Sequence, residues 1–419
     1  MQNYFSEKMN FYGNTNPKDL INEYGSPLYV YNESILRQRC RDMADFIPYA
    51  NYKASYSSKA NGSLELLKIV REEGLHADAM SPGEIHVLLA AGFEPEQIFY
   101  IGNNVSVEEM MFAVNKGITM SVDSLSQLIT YGQFNPGGNV AVRINPGFGI
   151  GHHDKVVTGG KDTKFGINVD CIPEIKSIIK EYNLNLIGIN QHIGSLFMEG
   201  DAYIQSVKVI LQIAEQFEAL RFIDMGGGFG IPYHKQDNEE PLELKAFGEQ
   251  LAILLSAWAE RNNPDVMFMS EPGRYIVAES GVLLGTVHAQ KENGGVSYIG
   301  TDLGFNVLVR PVMYDAWHDI EVYPLNKEYA YSAEKRVTIV GNICESGDTI
   351  AINRKLPVLS VGDIMGVMDA GAYGYSMSSN YNNRLRPAEV LIQRDDSHRI
   401  IRRRDTLDGL LQNFSIDNG

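Results

Sequence analysis

Cysteine is scarce: Cys40, Cys171 and Cys344 are the only three in 419 residues, widely spaced and odd in number. They cannot build a disulfide framework, and a reducing compartment is expected. Long apolar runs are missing too. Leu251–Ala259 is among the best and falls well short of the ~20 residues that span a bilayer. The opening Met-Gln-Asn-Tyr-Phe-Ser-Glu-Lys lacks the basic-then-apolar layout of a secretory signal, so the Asn-x-Ser triplets at Asn61 and Asn104 read as chance matches. Basic residues are in deficit, 36 Lys+Arg against 52 Asp+Glu, for a formal charge of −16. That balance argues against nonspecific nucleic-acid binding, which requires a basic surface to displace counterions. No internal repeat, long linker or low-complexity tract is present. These absences predict a soluble, cytoplasmic protein without nucleic-acid or membrane partners.

What remains is ordinary globular composition, 44% hydrophobic and 21% charged. From about residue 33 to 280, short β-branched runs alternate with amphipathic stretches. Strand candidates are Lys53–Ser57, His76–Met80, Ile98–Ile101, Thr119–Val122, Val140–Ile144, Leu186–Gln191, Phe222–Met225 and Met267–Ser270. Helix-like segments between them include Gly62–Glu73, Pro82–Ala91, Val107–Lys116 and Ala202–Ala219, several preceded by Ser or Asp. Eight such units over roughly 250 residues predict a (β/α)8 TIM-type barrel, with an open doubly wound sheet as the rival. Beyond residue 280 the texture becomes strand-and-turn, with Val282–Ala289, Gly295–Gly300, Lys335–Val340, Asp363–Met368 and Glu389–Gln393 as strands and Thr406–Asn413 as a helix. The α/β class is therefore a barrel over 33–280 plus a second, mostly antiparallel β domain from 1–32 and 281–419. Pro27–Tyr31 is a candidate strand of that second sheet. The basic cluster Arg402-Arg403-Arg404, beside Asp395, Asp396 and Asp405, reads as a solvated strand edge or a set of salt-bridge donors.

Four motifs follow predicted strands, where barrel enzymes place their chemistry. Tyr56-Ser57-Ser58-Lys59-Ala60-Asn61 follows the first. Alone, Lys59 would be a surface lysine; at a strand end a desolvated lysine sheds its proton and attacks carbonyls. His192-Ile193-Gly194-Ser195 follows the sixth, and its histidine is either structural or able to stack on a planar ligand. Gly226-Gly227-Gly228-Phe229-Gly230 follows the seventh, either as a tight turn or as bare backbone N–H groups cradling a phosphate. A dinucleotide fingerprint is not evident. Glu271-Pro272-Gly273-Arg274 follows the eighth, either as a structural ion pair or as one group for a cationic ring nitrogen and one for an anion. A strand-end lysine, a stacking histidine, a phosphate cradle and a carboxylate together match what pyridoxal phosphate requires. His152 and His153 lack a carboxylate at ligand spacing on a predicted helix, and no metal site is expected.

These barrel motifs resemble the fold-type III, alanine-racemase-like, pyridoxal-phosphate (PLP) decarboxylases. Arg310-Pro311-Val312-Met313-Tyr314-Asp315, Cys344-Glu345-Ser346-Gly347-Asp348 and Gly371-Ala372-Tyr373-Gly374-Tyr375-Ser376-Met377 resemble the branch that converts meso-2,6-diaminoheptanedioate to L-lysine and CO2, the last step of lysine biosynthesis. The likeness runs from about residue 25 to 410. It implies that Lys59 carries PLP, that His192 stacks on its ring, and that Ser195, Gly228, Gly273 and Arg274 surround it. Glu271 would pair with the ring nitrogen. Arg274, Arg310 and Tyr314 would grip a distal carboxylate, Glu345 a distal amine, and Tyr373 both cofactor and substrate. The resemblance further implies a head-to-tail homodimer whose shared sites borrow Cys344, as acid, and Glu345 from the partner; by itself Cys344 would be a small buried hydrophobe. An arginine at 310 demands a distal anion, since like charges buried together cost several kcal/mol.

Asp78 and Glu84 match a family segment near the lysine. Ser57-Ser58, Gln191 and Leu303–Leu308 depart from the usual pattern, which leaves room for a related substrate such as carboxynorspermidine or another distally anionic amino acid. A racemase and a non-catalytic PLP carrier are the remaining alternatives.

Overall fold

The computed structural model describes residues 5–147, 150–151, 160, 163–325 and 333–415. Two units make up the chain: Arg37–Pro232 with Pro241–Ile276, and Met1–Leu36 with Tyr233–Glu240 and Val277–Gly419.

In the first unit the barrel strands are Tyr52–Ser57, His76–Ala79, Ile98–Ile101, Thr119–Val122, Asn139–Asn145, Asn185–Asn190, Phe222–Gly227 and Met267–Glu271. Each pairs in parallel with its neighbours. The ring closes where the first meets the eighth (Tyr52↔Phe268, Lys53↔Met269, Ala54↔Ser270) and the fourth meets the fifth (Ser121↔Ala141, Val122↔Val142). An open doubly wound sheet has two free edges, and this one has none, so the barrel is the outcome. Strands such as Ile98–Ile101 are buried at every residue, as sheets covered on both faces require. The intervening helices start where local chemistry tells them to. Ser81, Ser106 and Ser124 accept the N–H groups of Glu84, Glu109 and Gln127 respectively, and Ser106 and Glu109 complete a capping box. Inside the ring, Ser121 Oγ of the fourth strand donates to Asn190 Oδ1 of the sixth at 2.6 Å. Strands four and six are not neighbours, so both side chains point into the barrel, whose interior is polar at this level.

The second unit is a sheet drawn from both chain ends. Leu28–Asn32 lies between Gly281–Asn293, antiparallel (Leu28↔Leu284), and Ala388–Ile392, parallel (Leu28↔Ala388). Leu28, Val30, Val282, Leu284, Val390 and Ile392 bury one face against Phe11, Leu20 and Ile364. Most other pairings are antiparallel. Three strands, Ile320–Tyr323, Thr349–Pro357 and His398–Arg402, were not legible as such. Thr349–Pro357 alternates poorly because Ile352 is exposed and Arg354 buried, yet it pairs with Glu334–Val340. The basic cluster belongs partly to the last of these strands. Arg402 ion-pairs with the buried Glu389, and Arg404 Nη2 donates to the Pro27 carbonyl at 2.6 Å, tying the two chain ends together. No helix among the described residues is long and apolar enough to cross a membrane.

Candidate active site

Seven of the expected residues, Lys59, His192, Ser195, Gly228, Glu271, Gly273 and Arg274, gather at or just beyond the C-terminal ends of the first, sixth, seventh and eighth barrel strands. Lys59 sits in the 3-10 turn Ser58–Ala60 and is exposed between two buried neighbours. The two serines before it, unusual for the resembled family, anchor that turn. Ser57 Oγ donates to Asp78 Oδ2 at 2.7 Å, while Ser58 Oγ donates to the Asp78 carbonyl at 2.8 Å and to Glu84 Oε2 at 3.2 Å. Glu84 also accepts the Met80 N–H at 2.6 Å, so Asp78 and Glu84 are the struts of the lysine turn.

The seventh strand ends in glycines because the backbone there has no room for a side chain. Gly228 holds φ at +111°, a left-handed conformation that other residues rarely adopt, and a Cβ on it would stand 2.6 Å from the Gly194 carbonyl oxygen. Tyr203 OH donates to the Gly226 carbonyl at 2.9 Å, and Phe197, Tyr203, Phe229 and Phe247 pack beneath the turn. Beside it Arg274, which opens the short helix Arg274–Val277, donates from Nη2 to Ser195 Oγ at 3.0 Å. The half-buried backbone at Gly228, a serine hydroxyl and a guanidinium form a donor set suited to a phosphate group.

Glu271 ends the eighth strand, only 5% exposed. His192 Nδ1 stands 3.2 Å from its Oε2 and 3.1 Å from the Gly227 N–H. One ring nitrogen can donate to the carboxylate or accept from the amide, not both, so Glu271 can turn to a ligand while Gly227 satisfies His192. Burial pushes Glu271 upward, but the hydrogen bond from His192 and the charge of Lys59 outweigh it and hold the carboxyl below its ordinary value. Burial holds His192 down, against the pull of Glu271.

Asp224, absent from the expected site, is fully buried on the seventh strand, which pairs with the strand that ends in Glu271. Burial first, then the Glu271 charge, pushes its carboxyl well above its ordinary range, which favours the protonated form. Asp78 is raised likewise, by burial and then Glu271. Arg143, on the fifth strand, was missed as well. Burial lowers it, while Glu271, Asp123, Asp224 and Asp78 hold it charged. The readable signal for both was an ionisable residue inside an apolar strand, Phe222-Ile223-Asp224-Met225 and Val142-Arg143-Ile144.

The other expected residues lie in the β unit. Arg310 begins the helix Arg310–Tyr314 and is only 2% exposed; Tyr314 at its end is half-buried. Cys344 and Glu345 occupy an exposed loop. Asp348 shapes that loop by accepting the N–H groups of Phe305 and Ile343, both at 2.7 Å. Tyr381 OH donates to Glu345 Oε1 at 2.5 Å, and Asn382 Oδ1 accepts the Cys344 N–H at 2.7 Å. Tyr373 is half-buried at φ +55°. All three cysteines are free thiols. His152 and His153 lie outside the described residues.

The barrel residues fit pyridoxal phosphate: a cradle that a Cβ would fill, an Arg274–Ser195 donor pair, a lysine at a strand end and a buried carboxylate held below its ordinary range. Residues 33–278 match the family model "Pyridoxal-dependent decarboxylase, pyridoxal binding domain". The diaminopimelate decarboxylase of Methanothermobacter thermautotrophicus is 38% identical over 415 residues, covering 96% of this chain and 95% of the relative. That of Escherichia coli is 34% identical over 409 residues, 93% and 94% of the two chains. The crystal structure of diaminopimelate decarboxylase from Helicobacter pylori complexed with L-lysine superposes with a TM-score of 0.86 at 31% identity, covering 95% of this chain and 98% of that one.

Proposed function

This chain belongs to the pyridoxal-dependent decarboxylases, within the diaminopimelate decarboxylase family, and from that premise we propose that it releases CO2 from meso-2,6-diaminoheptanedioate to leave L-lysine. When bound, pyridoxal phosphate supplies a ring that accepts the electron pair left behind as CO2 departs. Lys59 holds that group at the barrel mouth. Glu271, held below its ordinary range, would keep a proton at the ring nitrogen, and His192 would lie against the ring. The 226–230 glycine turn, Gly273, Ser195 and Arg274 bind the phosphate.

The observation that carries the substrate assignment is Arg310, a guanidinium buried to 2% exposure whose positive charge suits an anionic far end of the substrate. With Tyr314 and Arg274 it takes the distal carboxylate, while Glu345 takes the distal amine and Tyr373 contacts substrate and cofactor. Ornithine and lysine, with cations at the far end, are poor substrates on this reading. The chain acts as a cytoplasmic homodimer with shared sites, in which Cys344 and Glu345 of one protomer serve its partner and Cys344 returns a proton to the α-carbon. The three free thiols and the exposed Cys344–Glu345 loop support this arrangement.

CO2 release by the holoenzyme, measured across diaminopimelate, carboxynorspermidine, ornithine and lysine, tests the assignment. Diaminopimelate is expected to be the preferred substrate. Turnover of carboxynorspermidine with diaminopimelate inert would refute it.

A further inference from the structure

Arg310 is held from behind by a histidine whose protonation state can be read from geometry. His318 Nδ1 lies 2.7 Å from the Met368 carbonyl oxygen, which can only accept, so Nδ1 carries the ring proton. His318 Nε2 lies 2.7 Å from Arg310 Nη1, which can only donate, so Nε2 is the acceptor and the imidazole is neutral. Both side chains are 2% exposed. The Tyr233 ring closes another side, 4.7 Å from the guanidinium carbon and edge-on to His318 at 5.3 Å between centroids. Arg354 Nη2 donates to the His318 carbonyl at 2.9 Å and fixes its backbone. The next residue, Asp319, is occupied by the Trp317 indole N–H and the Gln236 amide.

We propose that His318 is the positioning residue for substrate selection: it takes one N–H of Arg310 and aims the remaining fork at the distal carboxylate of the substrate. This rests on the reading of Arg310 given above. The choice of residue type follows from charge. A carboxylate at position 318 would orient Arg310 equally well but neutralise it, and the substrate's anion would then gain little. A neutral imidazole supplies the hydrogen bond and leaves the positive charge for the substrate. A protonated imidazole would set two donors face to face and lose the contact.

L-lysine, which keeps the distal carboxylate, and cadaverine, the same chain without it, are the probes. Equilibrium binding to the wild-type holoenzyme is expected to favour L-lysine. In His318→Leu the L-lysine affinity should fall about tenfold or more while that of cadaverine stays within about twofold, as expected for a lost hydrogen bond to a charged group. The KM for diaminopimelate should rise accordingly with kcat little changed. His318→Gln, which returns an acceptor, should recover most of the loss. Equal weakening toward both ligands, or unchanged L-lysine binding, would overturn the inference while leaving the substrate assignment intact. A wild type that does not distinguish the two ligands would overturn the reading of Arg310 and this inference with it. If neither variant folds, 15N NMR of the wild-type imidazole decides: a neutral Nδ1–H tautomer is expected at neutral pH, and an Nε2–H tautomer or an imidazolium refutes the pairing.

Discussion

Replacing Asp224 with Asn isolates what the buried Glu271 charge does to the protonation of its buried neighbour. Asn Oδ1 can still accept the Gly226 N–H that Asp224 Oδ1 receives at 2.9 Å. That hydrogen bond therefore survives, and only the need to bind a proton disappears. In the native protein the Asp224 carboxyl is raised by burial and by Glu271. A free Asp in the unfolded chain loses its proton near pH 3.9. Between that value and the higher native one, the folded state binds more protons than the unfolded state, so stability falls as pH rises. The slope from this one group is about 1.4 kcal/mol per pH unit. D224N lacks this term. Its stability should match the wild type near pH 4 and exceed it progressively toward neutrality. Denaturant titrations of apoprotein at several pH values between ~4 and ~7, comparing the difference between the two proteins, are the assay. Parallel stability curves would refute the raised-carboxyl argument, whatever the variant's activity.

Three further outcomes are expected. Gly228→Ala forces a side chain into a φ of +111° and against the Gly194 carbonyl. Strain of about 1–3 kcal/mol should appear as at least a tenfold weaker cofactor affinity, read by fluorescence titration, with the fold intact by circular dichroism; unchanged affinity would mean the turn is not the phosphate cradle. Arg402→Met strips the Glu389 carboxylate, 0% exposed, of its ion-pair partner and leaves it the Tyr31 hydroxyl at 2.7 Å. Arg402 is 40% exposed, so the loss falls below the about 3–5 kcal/mol of a fully buried pair; the melting temperature should still drop, and a smaller loss is expected in Arg402→Met with Glu389→Gln. Mixing inactive Lys59→Ala and Cys344→Ala proteins should restore part of the activity if sites are shared between protomers; no recovery after subunit exchange would count against the shared site.

Much of the architecture was written in local pattern. The alternation of β-branched runs and capped amphipathic stretches specified the barrel, because periodicity reports which face of each element leaves water. Lys59, the glycine turn, Glu271 and Arg274 were legible because barrel chemistry collects where strands end. The relations among those residues were not. Asp224 and Glu271 become neighbours only through the pairing of the seventh and eighth strands, slipped so that Gly227 stands opposite Glu271. Ser57 and Ser58 gained their meaning from Asp78, which strand pairing brings beside Ser57. The sequence placed Pro27–Tyr31 in the second sheet, but that Gly281–Asn293 and Ala388–Ile392 flank Leu28–Asn32 was not legible, since pairing partners far apart in the chain leave no local trace. His318 carries no signal in the sequence; only the fold brings Met368 and Arg310 to its two nitrogens. Residue type and spacing determined which elements form and which groups can do chemistry. Register and burial decided which of those groups keep a proton, which stay charged, and which histidine must remain neutral, because those properties depend on what stands within a few ångströms in space.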